Sequence, residues 1–341
     1  MKYLISGHTG FKGTWLSAIL VELGHQVVGI SLPAPAGGIH ERASIDSLIS
    51  NSNISDIRDF ESVNEIFQRE KPNRVIHLAA QSLVSEGYSQ PIQTFETNVN
   101  GTLNILRAVK ELGSVESTII VTTDKVYKNT GKISGYTEDD PLGGVDPYSA
   151  SKAMADILSQ SWSNTFSSDP IGILRAGNVI GGGDVSKNRL MPDLVAAVFG
   201  GEKIQIRNPK SVRPWQHVLD CLYGYLLAES RIAEKRKSGI WNFGPKNSDF
   251  ASVETVVALS EKYANTTLSG CKDVSVRFDE TAYLTLDSTK AREQLSWNPT
   301  FSLEDSVRLT LDWESRSRNS NPRFETIKQI QDFLSIQQVS L

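Results

Sequence analysis

The segment Gly7-His8-Thr9-Gly10-Phe11-Lys12-Gly13 constrains the fold more than any other part of the 341-residue chain. An apolar run, Lys2–Ser6, leads into it. A helical stripe of Leu16, Ile19, Leu20 and Leu23 leaves it and stops at Gly24. A pyrophosphate needs backbone N–H groups at a helix N-terminus with no Cβ in the way. Gly7 permits the tight turn, Gly10 the close approach and Gly13 the contact of helix on strand. Strand, turn and helix in this order predict a dinucleotide-binding unit.

The first half of the chain keeps the same rhythm. Candidate strands at Gln26–Ser31, Arg74–Leu78, Thr118–Thr122 and Ile171–Arg175 alternate with helical stripes. One stripe is Phe95, Val99, Leu103, Leu106 and Val109; another is Met154, Ile157 and Leu158, extended by Trp162 and Phe166. This alternation predicts an α/β fold, a Rossmann-like doubly wound parallel sheet with helices on both faces. Beyond residue 180 short strands, turns and isolated helices predict a smaller α+β lobe. The expected division is a dinucleotide domain over residues 1–178 and a substrate lobe over 179–341, with Ile240–Phe243 available to rejoin the main sheet. Pro33–Asn53, rich in Ser, Gly, Pro and Asn, reads as a long loop, and Ser315–Pro322 as a break between the last helices.

A formal charge of −4 provides no basic field, so a nucleic-acid partner has no electrostatic support. No apolar run reaches the roughly 18–20 residues that span a bilayer. The N-terminus reads as a first strand, not as a signal peptide. Cys221 and Cys271 lie far apart, with no cysteine or histidine at metal spacing. Reduced thiols in a cytoplasmic protein, and no metal, are the expectation.

Asp146-Pro147-Tyr148-Ser149-Ala150-Ser151-Lys152 reads as a helix start, with Asp146 as N-cap and Pro147 in the first turn. Tyr148 and Lys152 are then four apart on one face. A phenol, with a pKa near about 10, is too weakly acidic to serve as a neutral-pH base. A neighbouring ammonium favours the phenolate, so Tyr148 gains the means to take a proton from a hydroxyl whose carbon loses a hydride. Thr123, beyond the strand Thr118–Thr122, is placed to hold that hydroxyl. Asp124 and Lys125 add an acid/base pair that a plain dehydrogenase or epimerase does not need and a dehydratase does. The second strand ends in Ser31-Leu32-Pro33, with neither an acid for a ribose hydroxyl nor an arginine for a phosphate. That position leaves NAD and NADP both open.

These motifs resemble the extended short-chain dehydrogenases/reductases of the NAD-dependent epimerase/dehydratase family, and within it the branch that dehydrates CDP-D-glucose. The likeness is carried by GHTGFKGTWL at 7–16, DIRD at 56–59, IHLAAQ at 76–81, TNVNGT at 97–102, TTDK at 122–125 and DPYSASK at 146–152. RAGNVIGGGD at 175–184, IRNPKSVRPWQHVL at 206–219 and WNFGP at 241–245 continue it. The resemblance implies NAD as cofactor, bound by Gly7, Thr9, Gly10, Phe11, Gly13, Asp56, Ile57, Leu78, Ala79, Ala80 and Asn98, with Tyr148 and Lys152. It implies a nucleotide-sugar substrate, CDP-glucose first, touched by Gln81, Asn178, Arg189, Arg213, His217 and Tyr283. Lys125, where dTDP-glucose dehydratases carry a glutamate, is implied as the base at carbon 5 and Asp124 as the acid for the carbon 6 hydroxyl. A 4-epimerase, or a dehydratase for another nucleotide, is the alternative. A homodimer through the Phe95–Leu103 and Met154–Phe166 stripes is also implied. The pattern departs at Ser85 and Glu86, where an arginine pair is usual, and at Thr137, where an arginine is common.

Overall fold

The computed structural model describes all residues except 167–168, 202–203, 205, 207, 247–249, 269–281 and 339–341. Cys271 and Thr281 therefore lie outside the described residues. Six strands alternate with helices in the first half: β1 (Lys2–Ser6), β2 (Gln26–Ser31), β3 (Asn51–Ile54), β4 (Arg74–His77), β5 (Ser117–Val121) and β6 (Ile171–Ala176). With Gly239–Phe243 they form one seven-stranded sheet. From one edge the order is Gly239–Phe243, β6, β5, β4, β1, β2, β3, and every pairing is parallel. The strand rejoining from late in the chain is thus an edge strand of the main sheet.

Parallel strands buried on both faces need near-continuous apolar runs. Leu4, Ile5, Val27, Val28, Val75, Ile76, Ile119 and Ile120 supply them and are fully buried. One face packs on helix Phe11–Glu22 and the aromatic residues Tyr225, Trp241, Phe243 and Trp297. The other carries Val63, Phe67, Ile105 and Val109. A further cluster joins Ile180, Leu194, Trp215, Val256 and Leu311 outside the main sheet. No helix among the described residues is long and apolar enough to cross a membrane.

Three expectations need correction. Pro33–Asn53 is not one loop: it holds the helix Ile39–Arg42, the 3-10 turn Ile45–Ser47 and the start of β3. Asn51-Ser52-Asn53-Ile54 hides its strand character because it is an edge strand, paired only to β2, and needs no apolar pattern. Helix Leu303–Asn319 runs through most of the polar stretch, and the break narrows to Ser320 and Asn321. Buried Glu314 and Ser317 carry its inner face, so polarity did not mark exposure there. The stripe from Met154 also divides: Leu158 and Trp162 pack on Ile120 and Ile173, whereas Met154 and Ile157 are exposed.

Arg175 on β6 and Asp156 on helix Pro147–Thr165 form a bidentate pair, 2.8 Å at both contacts, with both side chains buried. Removing one member strands the other charge in the core. Arg175→Met should lower unfolding free energy by about 3–5 kcal/mol. Urea denaturation followed by far-UV circular dichroism checks this, and an unchanged midpoint would refute it.

Candidate active site

The loop after β5 bends at once into a 3-10 turn, Asp124–Val126, with Thr123 as its cap. Thr123 Oγ1 donates to Asp124 Oδ1 at 3.0 Å and accepts from the Lys125 N–H at 3.4 Å. Beside it begins helix Pro147–Thr165. Asp146 Oδ1 accepts from the Ser149 N–H at 3.0 Å, as its N-cap position predicts. Lys152 Nζ donates to the Val121 carbonyl at 2.7 Å, tying the helix to the end of β5.

A cavity of 640 Å³ opens at this carboxyl edge of the sheet. Thr123, Asp124, Lys125, Tyr148 and Lys152 line one part of it. Gly7, Thr9, Gly10, Phe11 and Gly13 line another, with Asp56, Ile57, Leu78, Ala79 and Ala80 nearby. Asn178, Arg189 and Arg213 complete the lobe side. A Cβ on Gly13 would sit 2.0 Å from the Gly7 carbonyl oxygen, so no side chain fits where helix meets turn. Gly7 has φ +80°, the left-handed region open to glycine. Gly10 caps helix Phe11–Glu22 without any side-chain cap, which leaves the first N–H groups to an anion. The turn therefore fits a diphosphate.

Four expected contacts lie outside the cavity lining. Asn98 is buried beneath it, bonding the Gln81 backbone at 2.8 and 3.0 Å and Ser151 Oγ at 2.9 Å. The Gln81 side chain bonds Thr94 Oγ1 and the Leu83 N–H and so shapes the loop after β4. His217, fully buried against Phe301, caps its own helix through Leu219. Tyr283 bridges Val212 through its backbone. Sequence reading missed other lining residues, among them Lys12, Ser82, Asp184 and Asn188. Lys12 sits inside the quoted glycine turn, and its charge in a buried turn was the available signal. Asn188 carried none, because its φ of +59° follows from the loop geometry.

Burial dominates the electrostatics. It pushes the Asp124 carboxyl up, against the nearby Lys125 and the Thr123 hydroxyl. Asp124 Oδ2 is buried with no hydrogen-bond partner among the described residues. Burial, then the charge of Lys12, push Lys152 down to about 7. Tyr148 is pushed up by burial, with Thr123 and Arg189 holding it partly down. Desolvation thus sets the direction for the phenol, opposite to the lowering expected from Lys152, whose Nζ gives one of its hydrogen bonds to the Val121 carbonyl.

A glycine turn, a Tyr-x-x-x-Lys helix and a doubly wound parallel sheet define an extended short-chain dehydrogenase/reductase. The chain belongs to the GDP-mannose 4,6 dehydratase family, whose model matches residues 4–310. It is 38% identical to a CDP-glucose 4,6-dehydratase of Salmonella typhimurium, over 98% of this chain and 96% of that protein. It is 27% identical to a dTDP-glucose 4,6-dehydratase of Xanthomonas campestris, over 91% and 92%. A dTDP-glucose 4,6-dehydratase from Bacillus anthracis, solved in complex with NAD, superposes with a TM-score of 0.81 at 22% identity, covering 94% of this chain and 98% of that one. A UDP-glucose-4-epimerase from Stenotrophomonas maltophila gives 0.83 at 23%, covering 94% and 100%. These structural likenesses confirm the fold.

The depressed Lys152 makes a stability prediction. Its folded value, about 7, lies below the free lysine value, so its contribution is full above the unfolded value and lost as pH falls towards 7. The ligand-free chain should therefore gain stability between pH 7 and 9, and Lys152→Met should flatten that slope. Urea midpoints at the two pH values decide it; equal slopes would refute the assignment.

Proposed function

We propose that the chain is a lyase converting CDP-D-glucose to CDP-4-dehydro-6-deoxy-D-glucose and water, with NAD as a cofactor that ends as it began. The observation that carries this reading is Asp124 and Lys125 lining the same cavity as Tyr148 and Lys152. An epimerase, which returns the hydride to carbon 4, has no use for the extra pair. The 38% identity to a CDP-glucose 4,6-dehydratase supports the choice of nucleotide.

Bound NAD+ would accept the carbon 4 hydrogen as hydride, and its reduced form would return that hydride to carbon 6 while the proton taken by Lys125 goes back to carbon 5. Gly7, Gly10 and Gly13 would cradle its diphosphate, and Asp56 and Ile57 would flank the adenine end. Tyr148 takes the proton of the carbon 4 hydroxyl while Thr123 holds the same oxygen. Lys152 sets the phenol's environment from one helical turn away. The ketone acidifies the carbon 5 hydrogen, which Lys125 removes. Asp124, which burial favours in its neutral form, protonates the departing carbon 6 hydroxyl, and water leaves. Arg189 and Arg213 suit the sugar diphosphate, since a guanidinium fork pairs well with phosphate oxygens. Asn98 and Gln81 support the cofactor loop, and His217 and Tyr283 support the lobe that carries Arg213.

The division into residues 1–178 for the cofactor and 179–341 for the sugar nucleotide remains our assignment. A homodimer is assigned to the outward apolar side chains Met154, 48% exposed, Ile157, 54%, and Leu103, 36%. A monomeric mass in solution would rule it out. A cytoplasmic location accords with the buried free thiol of Cys221.

Incubation with NAD and a panel of CDP-, dTDP-, UDP- and GDP-hexoses tests the reaction. The CDP-glucose product should be lighter by one water; an isomer of unchanged mass would replace dehydration with epimerisation. Lys125→Ala should still oxidise carbon 4, seen as transient NADH absorbance, yet fail to exchange the carbon 5 hydrogen with solvent. Its turnover should fall by about 10²–10⁴-fold. Solvent exchange at the parental rate would remove the role given to Lys125.

A further inference from the structure

Beside the glycine turn, outside the cavity lining, three side chains from separate segments converge. They are His8 of the turn, His40 of the helix Ile39–Arg42 and Asp46 of the 3-10 turn Ile45–Ser47. Their candidate ligand atoms all lie within 4.8 Å of one another. His8 is fully buried and His40 is 3% exposed, whereas the Asp46 side chain is 61% exposed. Gly29 on β2 makes the room: a Cβ there would lie 2.2 Å from the His8 ring.

Thr14 Oγ1 donates its one proton to a backbone carbonyl, that of Gly10 at 2.8 Å. Its contact with His40 Nδ1 at 3.3 Å is then an N–H donated by the imidazole. The neutral ring would turn its Nε2 lone pair towards Asp46 Oδ1, 2.9 Å away. The two atoms face each other at a distance that one shared cation completes, either a proton on the ring or a metal ion between the groups. His8 Nε2 reaches the same place through Ser52 Oγ at 2.8 Å.

We propose that His8, His40 and Asp46 bind one divalent transition-metal ion of the zinc type. Two imidazoles and one carboxylate suit zinc and cobalt and discriminate against magnesium and calcium, which favour all-oxygen sets. Ligand bonds of about 2.0–2.2 Å require the three atoms to draw closer, and the exposed Asp46 is the side chain free to swing. Thr14 acts in the outer layer by fixing the tautomer and orientation of His40. Water takes the fourth position, with entry past Asp46. The bound ion ties the segment of residues 39–52 to the phosphate turn. This site uses none of the groups assigned to dehydration, so it stands or falls independently of that reading.

The test uses the full-length chain, stripped with a chelator and titrated with Co2+ and then Zn2+. One ion per chain is expected, with the visible absorption of four-coordinate Co2+, bleaching as Zn2+ displaces it, and a raised melting temperature. Excess Mg2+ should not compete. Even an outer-layer change weakens metal sites by about 10–100-fold, so Asp46→Asn and His40→Phe should each weaken Zn2+ binding by at least about tenfold. Asp46→Asn alters an exposed side chain and decides the matter alone if His40→Phe does not fold. No stoichiometric binding, or binding that survives Asp46→Asn, overturns the proposal.

Discussion

One face of helix Pro147–Thr165 is held to the sheet by polar contacts at successive turns, and the site depends on that attachment. Lys152 Nζ bonds the Val121 carbonyl at the end of β5. One turn on, Asp156 accepts from Thr122 Oγ1 at 3.0 Å and from Nε and Nη2 of Arg175 on β6. Tyr148 lies one turn the other way, at the cavity. Apolar packing fixes such a helix only as well as its surfaces interdigitate, and directional polar bonds specify its position further. The bonds to β5 and β6 fix where the phenol stands relative to Thr123, Asp124 and Lys125, which hang from the same strand end. Buried Arg175 also bonds Tyr127 Oη at 2.9 Å, extending the attachment to the chain beyond the 3-10 turn.

The same burial that makes this arrangement rigid sets its charge state. Asp124 and Lys152 are both pushed towards their neutral forms, one upward and the other downward. The buried cavity wall thus sheds charge it cannot solvate.

Much of this was legible in the sequence where one local pattern determines one structure. The turn Gly7–Gly13, the β1 and β2 bounds and the Asp146 cap all follow from contacts within a few residues. The strand Gly239–Phe243 was readable as a strand, and its return to the sheet follows from the apolar face it must bury. β3 was not legible, because an edge strand half in solvent can be polar. The placement of Asn98 was hidden by a π turn at Glu96–Asn100, which rotates it under the loop after β4. The histidine–aspartate cluster was invisible for a different reason. Its members lie at positions 8, 40 and 46, with no spacing motif, and only the folding of 39–52 against the turn brings them together.

The departures from the family pattern separate once the fold is known. Thr137 bonds Asp140 Oδ2 through both its N–H, at 2.7 Å, and its hydroxyl, at 2.9 Å, closing a local turn with Lys132. An uncharged residue there serves the loop and leaves the cavity unchanged. Ser85 lines the cavity, where its hydroxyl meets Asn188 at 3.5 Å. Neighbouring Ser82 accepts from Arg189 at 3.2 Å. Exchanging arginines for Ser85 and Glu86 removes positive charge from this wall and leaves Arg189 as a cation held there by Ser82 and by Asp184 at 3.6 Å. Arg189 and Arg213, both on the cavity wall, are the guanidinium groups that remain on this side of it.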